Sequence, residues 1–176
     1  MHTPPHGPEI LRSLQQNFLF SALTDTEAGD LAAKVWVEET SSGALIVREN
    51  DVADALFVVI EGGVNVMKAN GQFLAFLGPG GFFGEMALFT QASHRTANCV
   101  ATVTTRCLVV RKEVLDAFCA ANPATGLKIY SAIIRTLAER LQATSGDLAL
   151  LMGAQVQPQA RISNLVEEAK RRVQKG

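Results

Sequence analysis

The sequence predicts a mainly β fold with flanking helices. The expected architecture is an antiparallel β-roll or jelly roll (a double-stranded β-helix) with N-terminal helices, a short internal helix and a long C-terminal helix. Three observations carry this expectation. Seven β-rich segments lie between residues 35 and 110, with turn signals roughly every 8–12 residues, the rhythm of an antiparallel barrel or jelly roll. Asn70-Gly71 stands between two of these segments, a strong hairpin signal. Helical periodicity is confined to the two ends of the chain and one short interruption.

Taken in order, residues 1–8 read as a loose leader. From Glu9 to about residue 20, Ile10, Leu11, Leu14 and Phe18 recur at helical spacing. Thr24-Asp25-Thr26-Glu27 reads as a capping box opening a second helix that runs to about residue 33. The β-rich segments follow at 35–39, 44–47, 55–61, 63–69, 72–77, 97–103 and 106–110. Ser41-Ser42-Gly43, Asn50-Asp51, Gly62-Gly63, Asn70-Gly71 and Gly78-Pro79-Gly80-Gly81 separate them. Residues 84–89 are too few for a long helix and lack strand alternation. A helix of one and a half turns is expected there, followed by a loop over 90–94. Its N-terminus aims backbone N–H groups toward an anion.

Residues 112–120 form another predicted helix. Asn122-Pro123 then gives a cap with Pro in the first helical turn, opening a long helix to about residue 152. Leu127, Tyr130, Ile134, Leu137, Leu141, Thr144, Leu148 and Leu151 alternate at spacings of 3 and 4, a heptad seam that predicts a homodimer through the 123–152 helix. Gly146 weakens this helix by ~1 kcal/mol relative to Ala and marks a possible hinge. Residues 153–158 read as a breaker, and 159–173 as an amphipathic helix with Ile162, Leu165, Val166, Ala169 and Val173 on one face. The expected organisation is a leader (1–8), one ligand-binding domain with its long helix (9–152), and a C-terminal helix and tail (153–176).

Composition narrows the function classes. With 176 residues and 48% hydrophobic content, the chain has material for one substantial core. A net charge of −1 argues against dependence on a polyanion. No apolar run approaches the roughly 20 residues that span a bilayer, and the first ten residues lack a signal peptide's apolar stretch. Cys99, Cys107 and Cys119 form no CxxC pair, which predicts reduced, core-filling thiols and a cytoplasmic setting. His2, His6 and His94 are scattered, so no metal-ligand cluster is expected. No Ser/His/Asp, Cys/His or paired-carboxylate motif is present, so neither enzyme activity nor a cofactor is expected.

The stretch most informative about function is FGEMALFTQASHRTA, residues 83–97. It sets Glu85 and Arg95 ten residues apart behind the Gly78, Gly80 and Gly81 turn. A buried carboxylate and a buried guanidinium are costly unless something satisfies both. A ligand with a sugar hydroxyl and a phosphate does so.

This stretch resembles the phosphate-binding cassette of cyclic nucleotide-binding domains in the catabolite-activator-protein (cyclic AMP receptor) family. The resemblance extends from about Phe18 to Leu151. SSGALIVRENDVADALFVVIEGGVNV (41–66) is similar to the family's first barrel half, and RLQATSGDLALL (140–151) to its central helix. The resemblance implies that Arg95 pairs with the cyclic phosphate through its planar fork, and that Glu85 accepts the ribose 2′-hydroxyl. The N–H groups of Gly84, Glu85 and Met86 would support ribose or phosphate. Thr96 implies a guanine contact, hence cyclic GMP. Thr144 and Ser145 match a pair that contacts adenine, and Arg140 an Arg that pairs with the cassette Glu. The longer central-helix match favours cyclic AMP.

His94 departs from the pattern, since many cassettes carry Pro at that point; the loop loses a fixed backbone angle. Only 25 residues follow Leu151, too few for the family's helix-turn-helix, so DNA binding is not expected. The Lys170, Arg171, Arg172 and Lys175 cluster reads as a solvated face. The resulting expectation is a cyclic nucleotide sensor that signals to an unidentified protein effector through ligand-dependent contacts. A non-binding interaction module on the same fold, a truncated transcription regulator and a cyclic dinucleotide ligand are the alternatives.

Overall fold

The computed structural model describes residues 7–89 and 94–155, with side chains through residue 143. The chain divides into two compact units, Met1–Ile133 and Ile134–Gly176. The first unit holds every strand among the described residues. Helices α1 (Gly7–Gln16) and α2 (Asp25–Ala32) lead into β1 (Trp36–Thr40), β2 (Leu45–Val47), β3 (Ala55–Glu61), β4 (Val64–Met67), β5 (Phe73–Leu77) and β6 (Phe82–Phe83). The short helix α3 (Met86–Phe89), strands β7 (Asn98–Ala101) and β8 (Thr105–Arg111), and helix α4 (Lys112–Ala121) follow, and α5 runs Pro123–Gln155.

All strand pairs are antiparallel, in two four-stranded sheets ordered β1-β8-β3-β6 and β2-β7-β4-β5. This is the predicted β-roll. The residues that alternate inward from both sheets make one core: Ala55, Phe57 and Val59 of β3, Val64 of β4, Phe83, Cys99, Cys107 and Val109. The opposite face of β3 is buried too, with Leu56 at 0% and Val58 at 2% exposure. The turn after α1 reaches this side of the sheet: Phe18 meets Phe82, the register partner of Val58, at 6.1 Å, and Asn17 Nδ2 donates to the Gly80 carbonyl. Burial on both faces explains why β3 reads as a continuous apolar run rather than an alternating one. Each of these large side chains contributes about 1.5–3 kcal/mol on leaving water.

Several element boundaries differ from the sequence expectation, each for a local reason. Helix α1 stops at Gln16 because Asn17 takes over: its side-chain oxygen accepts from Leu19 N–H, and its amide anchors on Gly80. It starts at Gly7, inside the predicted leader. The capping box on α2 is present as predicted, with Glu27 N–H on the Thr24 hydroxyl and Thr24 N–H on the Glu27 carboxylate. Strand β6 has two residues, too few for a periodic signal; Phe57↔Phe83 and Val58↔Phe82 define it. The internal helix has four residues rather than six, because Gly84 takes φ +80° and cannot start a right-handed turn.

Asn122 serves both helices: its carbonyl accepts Gly126 N–H at 2.8 Å in the first turn of α5, while its donors turn back to α4. Its backbone N–H and side-chain amide both donate to the Phe118 carbonyl at the end of α4, and Pro123 then opens α5. Helix α5 is continuous through Gly146 and through Gly153 to Gln155, beyond the predicted end. The predicted 159–173 helix and loop residues 90–93 lie outside the described residues.

Within the first unit α5 packs chiefly through residues off the heptad seam, with Tyr130 of the seam half-buried against Asp116 and Phe89. Thr125, Ile129 and Ile133 are buried, while Leu127 is 70% exposed. In the second unit, Ile134 and Leu141 are 56% and 68% exposed. The three cysteines are free thiols, all buried.

Candidate functional site

Strand β6 brings the chain up against β3, and Gly84 then turns it. An added Cβ at Gly84 would lie 2.5 Å from Arg95 Nη1 and 2.6 Å from the Ala55 carbonyl. Positive φ and close approach together require glycine here. After the turn, Glu85 is 9% exposed and Met86 is 41% exposed at the start of α3. Ala87 N–H donates to the Gly84 carbonyl and Leu88 N–H to that of Glu85.

Arg95 arrives from the other direction, three residues before β7. Its backbone is clamped to the β2–β3 loop: Arg95 N–H donates to Asp51, and Asn50 N–H to Arg95, both at 2.8 Å. Asn50 adopts φ 72° to make this possible, a left-handed conformation that Asn tolerates better than most residues. The guanidinium lies at 7% residue exposure against the inner face of the barrel. It sits 5.3 Å from the Phe57 ring centroid, and Phe57 itself stacks on Phe83 at 5.0 Å. Nη1 donates to the Ala55 carbonyl at 2.8 Å, and Nη2 faces the Asp54 carboxylate at 3.5 Å.

The electrostatics follow from this placement. Burial pulls the Arg95 pKa below its ordinary value, and Asp54, Cys99, Asp51 and Glu85 push back in that order. An arginine stays protonated under such opposition, so the barrel wall carries a fixed positive charge. The Asp54 carboxylate that faces it is 64% exposed. In the adjoining core, burial pushes the Cys99 thiol up to about 12, with Arg95 opposing and Glu85 adding to the rise.

The structure thus brings Gly84, Glu85 and Arg95 together. Thr96 is exposed, between buried Arg95 and buried Ala97, and its carbonyl accepts from Lys68 Nζ at 2.7 Å. Arg140 is half-buried on α5 in the second unit. The side chains of Thr144 and Ser145 lie outside the described residues. His94 is exposed and bridges to Val52.

Sequence reasoning missed three participants: Asp54, the Ala55 carbonyl and the Phe57 ring. The turn signal at Asn50-Asp51 located the loop. Nothing local to residues 54–57 indicates that a residue 40 positions away lies on it. Among the described residues, no three His, Cys, Asp or Glu side chains converge as metal ligands. No helix among them is long and apolar enough to cross a membrane.

Comparison with known proteins bears on this geometry. The family described as "Cyclic nucleotide-binding domain" matches residues 37–122, from the second residue of β1 through α4, with the whole Gly84–Arg95 site inside it. Glutaminase 1 of Bradyrhizobium diazoefficiens is 30% identical over 138 residues, covering 78% of this chain and 22% of that protein. The cAMP-dependent protein kinase regulatory subunit of Yarrowia lipolytica is 32% identical over 93 residues, covering 53% and 24% respectively. The chain therefore spans under a quarter of the length of these two relatives. A crystallised cyclic nucleotide-binding domain from Methylobacillus flagellatus aligns with a TM-score of 0.68 at 26% identity, covering 81% of this chain and 82% of that one.

Proposed function

Residues 37–122 being a cyclic nucleotide-binding domain, we infer that the chain senses a cyclic mononucleotide and passes the signal to a protein effector. The observation that carries this is the Arg95 guanidinium held inside the barrel wall beside Glu85 and above Gly84. Neither charge serves an apolar barrel. The Asp54 contact is long, and its carboxylate is mostly exposed, so a phosphate delivered to the interior is the stronger partner.

In this reading Arg95 holds the cyclic phosphate and Glu85 the ribose hydroxyl, with backbone N–H support from Gly84, Glu85 and Met86. Arg140, Thr144 and Ser145 are assigned to the base on the sequence resemblance alone, and Thr96 is the competing cue for guanine. Cyclic AMP is the favoured ligand, and the Yarrowia relative, named for cAMP dependence, is consistent with it. The exposed Leu127, Ile134 and Leu141 support a homodimer through α5. The role proposed is regulatory and not catalytic.

Calorimetric titration of the purified chain with cyclic AMP and cyclic GMP tests the reading. Binding is expected for the parent chain and a loss of roughly 30-fold or more for Arg95→Leu, given the about 2–5 kcal/mol cost of breaking a buried charge pair. A folded parent chain that gives no heat with either nucleotide refutes it. One observation favours a second reading, a binding-fold module that takes no ligand: Arg95 already has internal partners in Ala55 and Asp54. In that case effector binding is the same with and without nucleotide, and Arg95→Leu leaves it unchanged.

A further inference from the structure

Contacts from both halves of the Arg95 site converge on Lys112, the first residue of α4. Its backbone N–H donates at 2.8 Å to the carbonyl of Asp54, whose carboxylate faces Arg95. Its Nζ donates at 3.1 Å to the carbonyl of Leu88, in the single turn of α3 that follows Glu85. The same Nζ pairs with Asp116 at 3.0 Å, and Asp116 accepts the Tyr130 hydroxyl of α5, also at 3.0 Å. The Tyr130 ring returns to α3, meeting Phe89 edge-on at 6.0 Å. One residue therefore meets the loop behind Arg95 through its backbone N–H, and the helix behind Glu85 and, by way of Asp116, the start of α5 through its ammonium.

Two features make this a device for movement rather than a surface ion pair. First, α4 and α5 are locked where they cross: a Cβ on Gly126 would fall 2.7 Å from the Cys119 Cβ. A shift of the first turn of α4 therefore carries the start of α5 with it. Second, Lys112 lines a surface cavity of about 300 Å³ together with Ala53, Asp54, Arg111, Glu113 and Asp116. That space lets the turn move without the overpacking a filled core imposes. A half-exposed ion pair at i, i+4 contributes little to stability on its own. The carbonyl of α3 gives this one a mechanical connection, and a cation is well placed at a helix's carbonyl end.

We propose that Lys112 is a relay residue outside the nucleotide contacts, coupling phosphate capture at Arg95 to the α4–α5 corner through Leu88, Asp116 and Tyr130. The proposal rests on the ligand reading above and adds the route by which occupancy leaves the barrel. It predicts that binding and transmission are separable at this residue. Removing the ammonium leaves the Arg95 contacts intact and weakens their link to α5, of which the Phe89–Tyr130 contact remains.

Tyr130 is the only tyrosine in the chain, so 3-fluorotyrosine labels this position alone. In the parent chain, cyclic nucleotide is expected to shift the single ¹⁹F resonance. In Lys112→Met, which keeps the aliphatic stem, calorimetry is expected to show retained binding while the ligand-induced shift falls to less than half. Lys112→Arg, still able to donate to Leu88, is expected to restore it. A full shift in Lys112→Met with nucleotide bound overturns the proposal, as does a parent chain that binds without any shift. If Lys112→Met fails to fold, Asp116→Asn carries the same expectation, and a full shift there overturns it equally. No heat in the parent chain refutes the ligand reading and this proposal together, whereas intact binding with an unaltered shift refutes the coupling alone.

Discussion

Gly84 shows how much one residue controls here. Its φ of +80° and the 2.5 Å approach of Arg95 Nη1 leave no space for a methyl group. Gly84→Ala is expected to cost about 1–3 kcal/mol of stability through backbone strain. It should also weaken nucleotide binding at least as strongly as it lowers Tm, because the methyl displaces the guanidinium. Differential scanning calorimetry with a parallel titration checks both. Cys99 reports on the same interior. Burial raises it to about 12 from an ordinary 9.0, so its thiolate fraction at pH 8 falls about a thousandfold. A thiol-disulfide reagent should leave Cys99 unlabelled in the native protein and label all three cysteines promptly in denaturant. Rapid native labelling of Cys99 would mean that the barrel interior is open to solvent.

Between elements, a small polar knot fastens the β4–β5 hairpin to the strands bearing the site. The Glu49 carboxylate pairs with Lys68 at 2.5 Å and accepts Ala69 N–H at 2.6 Å, while Lys68 reaches the Thr96 carbonyl. These bonds, Lys68 first, hold the Glu49 pKa below its ordinary value. A lowered carboxyl pKa stabilises the fold above the ordinary value of 4.5 and ceases to do so as pH falls through the lowered one. Glu49→Gln should therefore melt earlier than the parent at pH 7. The difference should shrink as the pH falls below the ordinary 4.5 and through the lowered value, as thermal unfolding across a pH series would show. A constant difference would mean that Glu49 acts through shape and not charge.

On the scale of the whole molecule, the proposed homodimer rests on the exposed apolar residues of α5. Leu141 is 68% exposed, so Leu141→Glu should alter monomer stability by no more than about 0.5 kcal/mol. If the heptad seam joins two copies, this change should convert a dimer to a monomer in sedimentation velocity with the circular dichroism spectrum unchanged. A parent chain that already sediments as a monomer excludes the seam as an interface.

The sequence by itself determined the strands and their turns, because alternation, Asn-Gly and the glycine turns are properties of a few neighbouring residues. The capping box on α2 was legible for the same reason, and so was the Glu85–Arg95 pair once the segment between them was read as one motif. What only the tertiary structure decided is what lies against these residues. That the partners of Arg95 include Ala55 and Asp54, 40 and 41 positions away, follows from the β2–β3 loop folding over it. That Ile129 and Ile133 face inward while Leu127 faces out follows from how α5 docks, since all three are equally apolar. The two-residue β6 exists because β3 offers it an edge. Short-range signals fix conformation, whereas partners distant in the chain are chosen by the closing of the barrel, which no window of sequence contains.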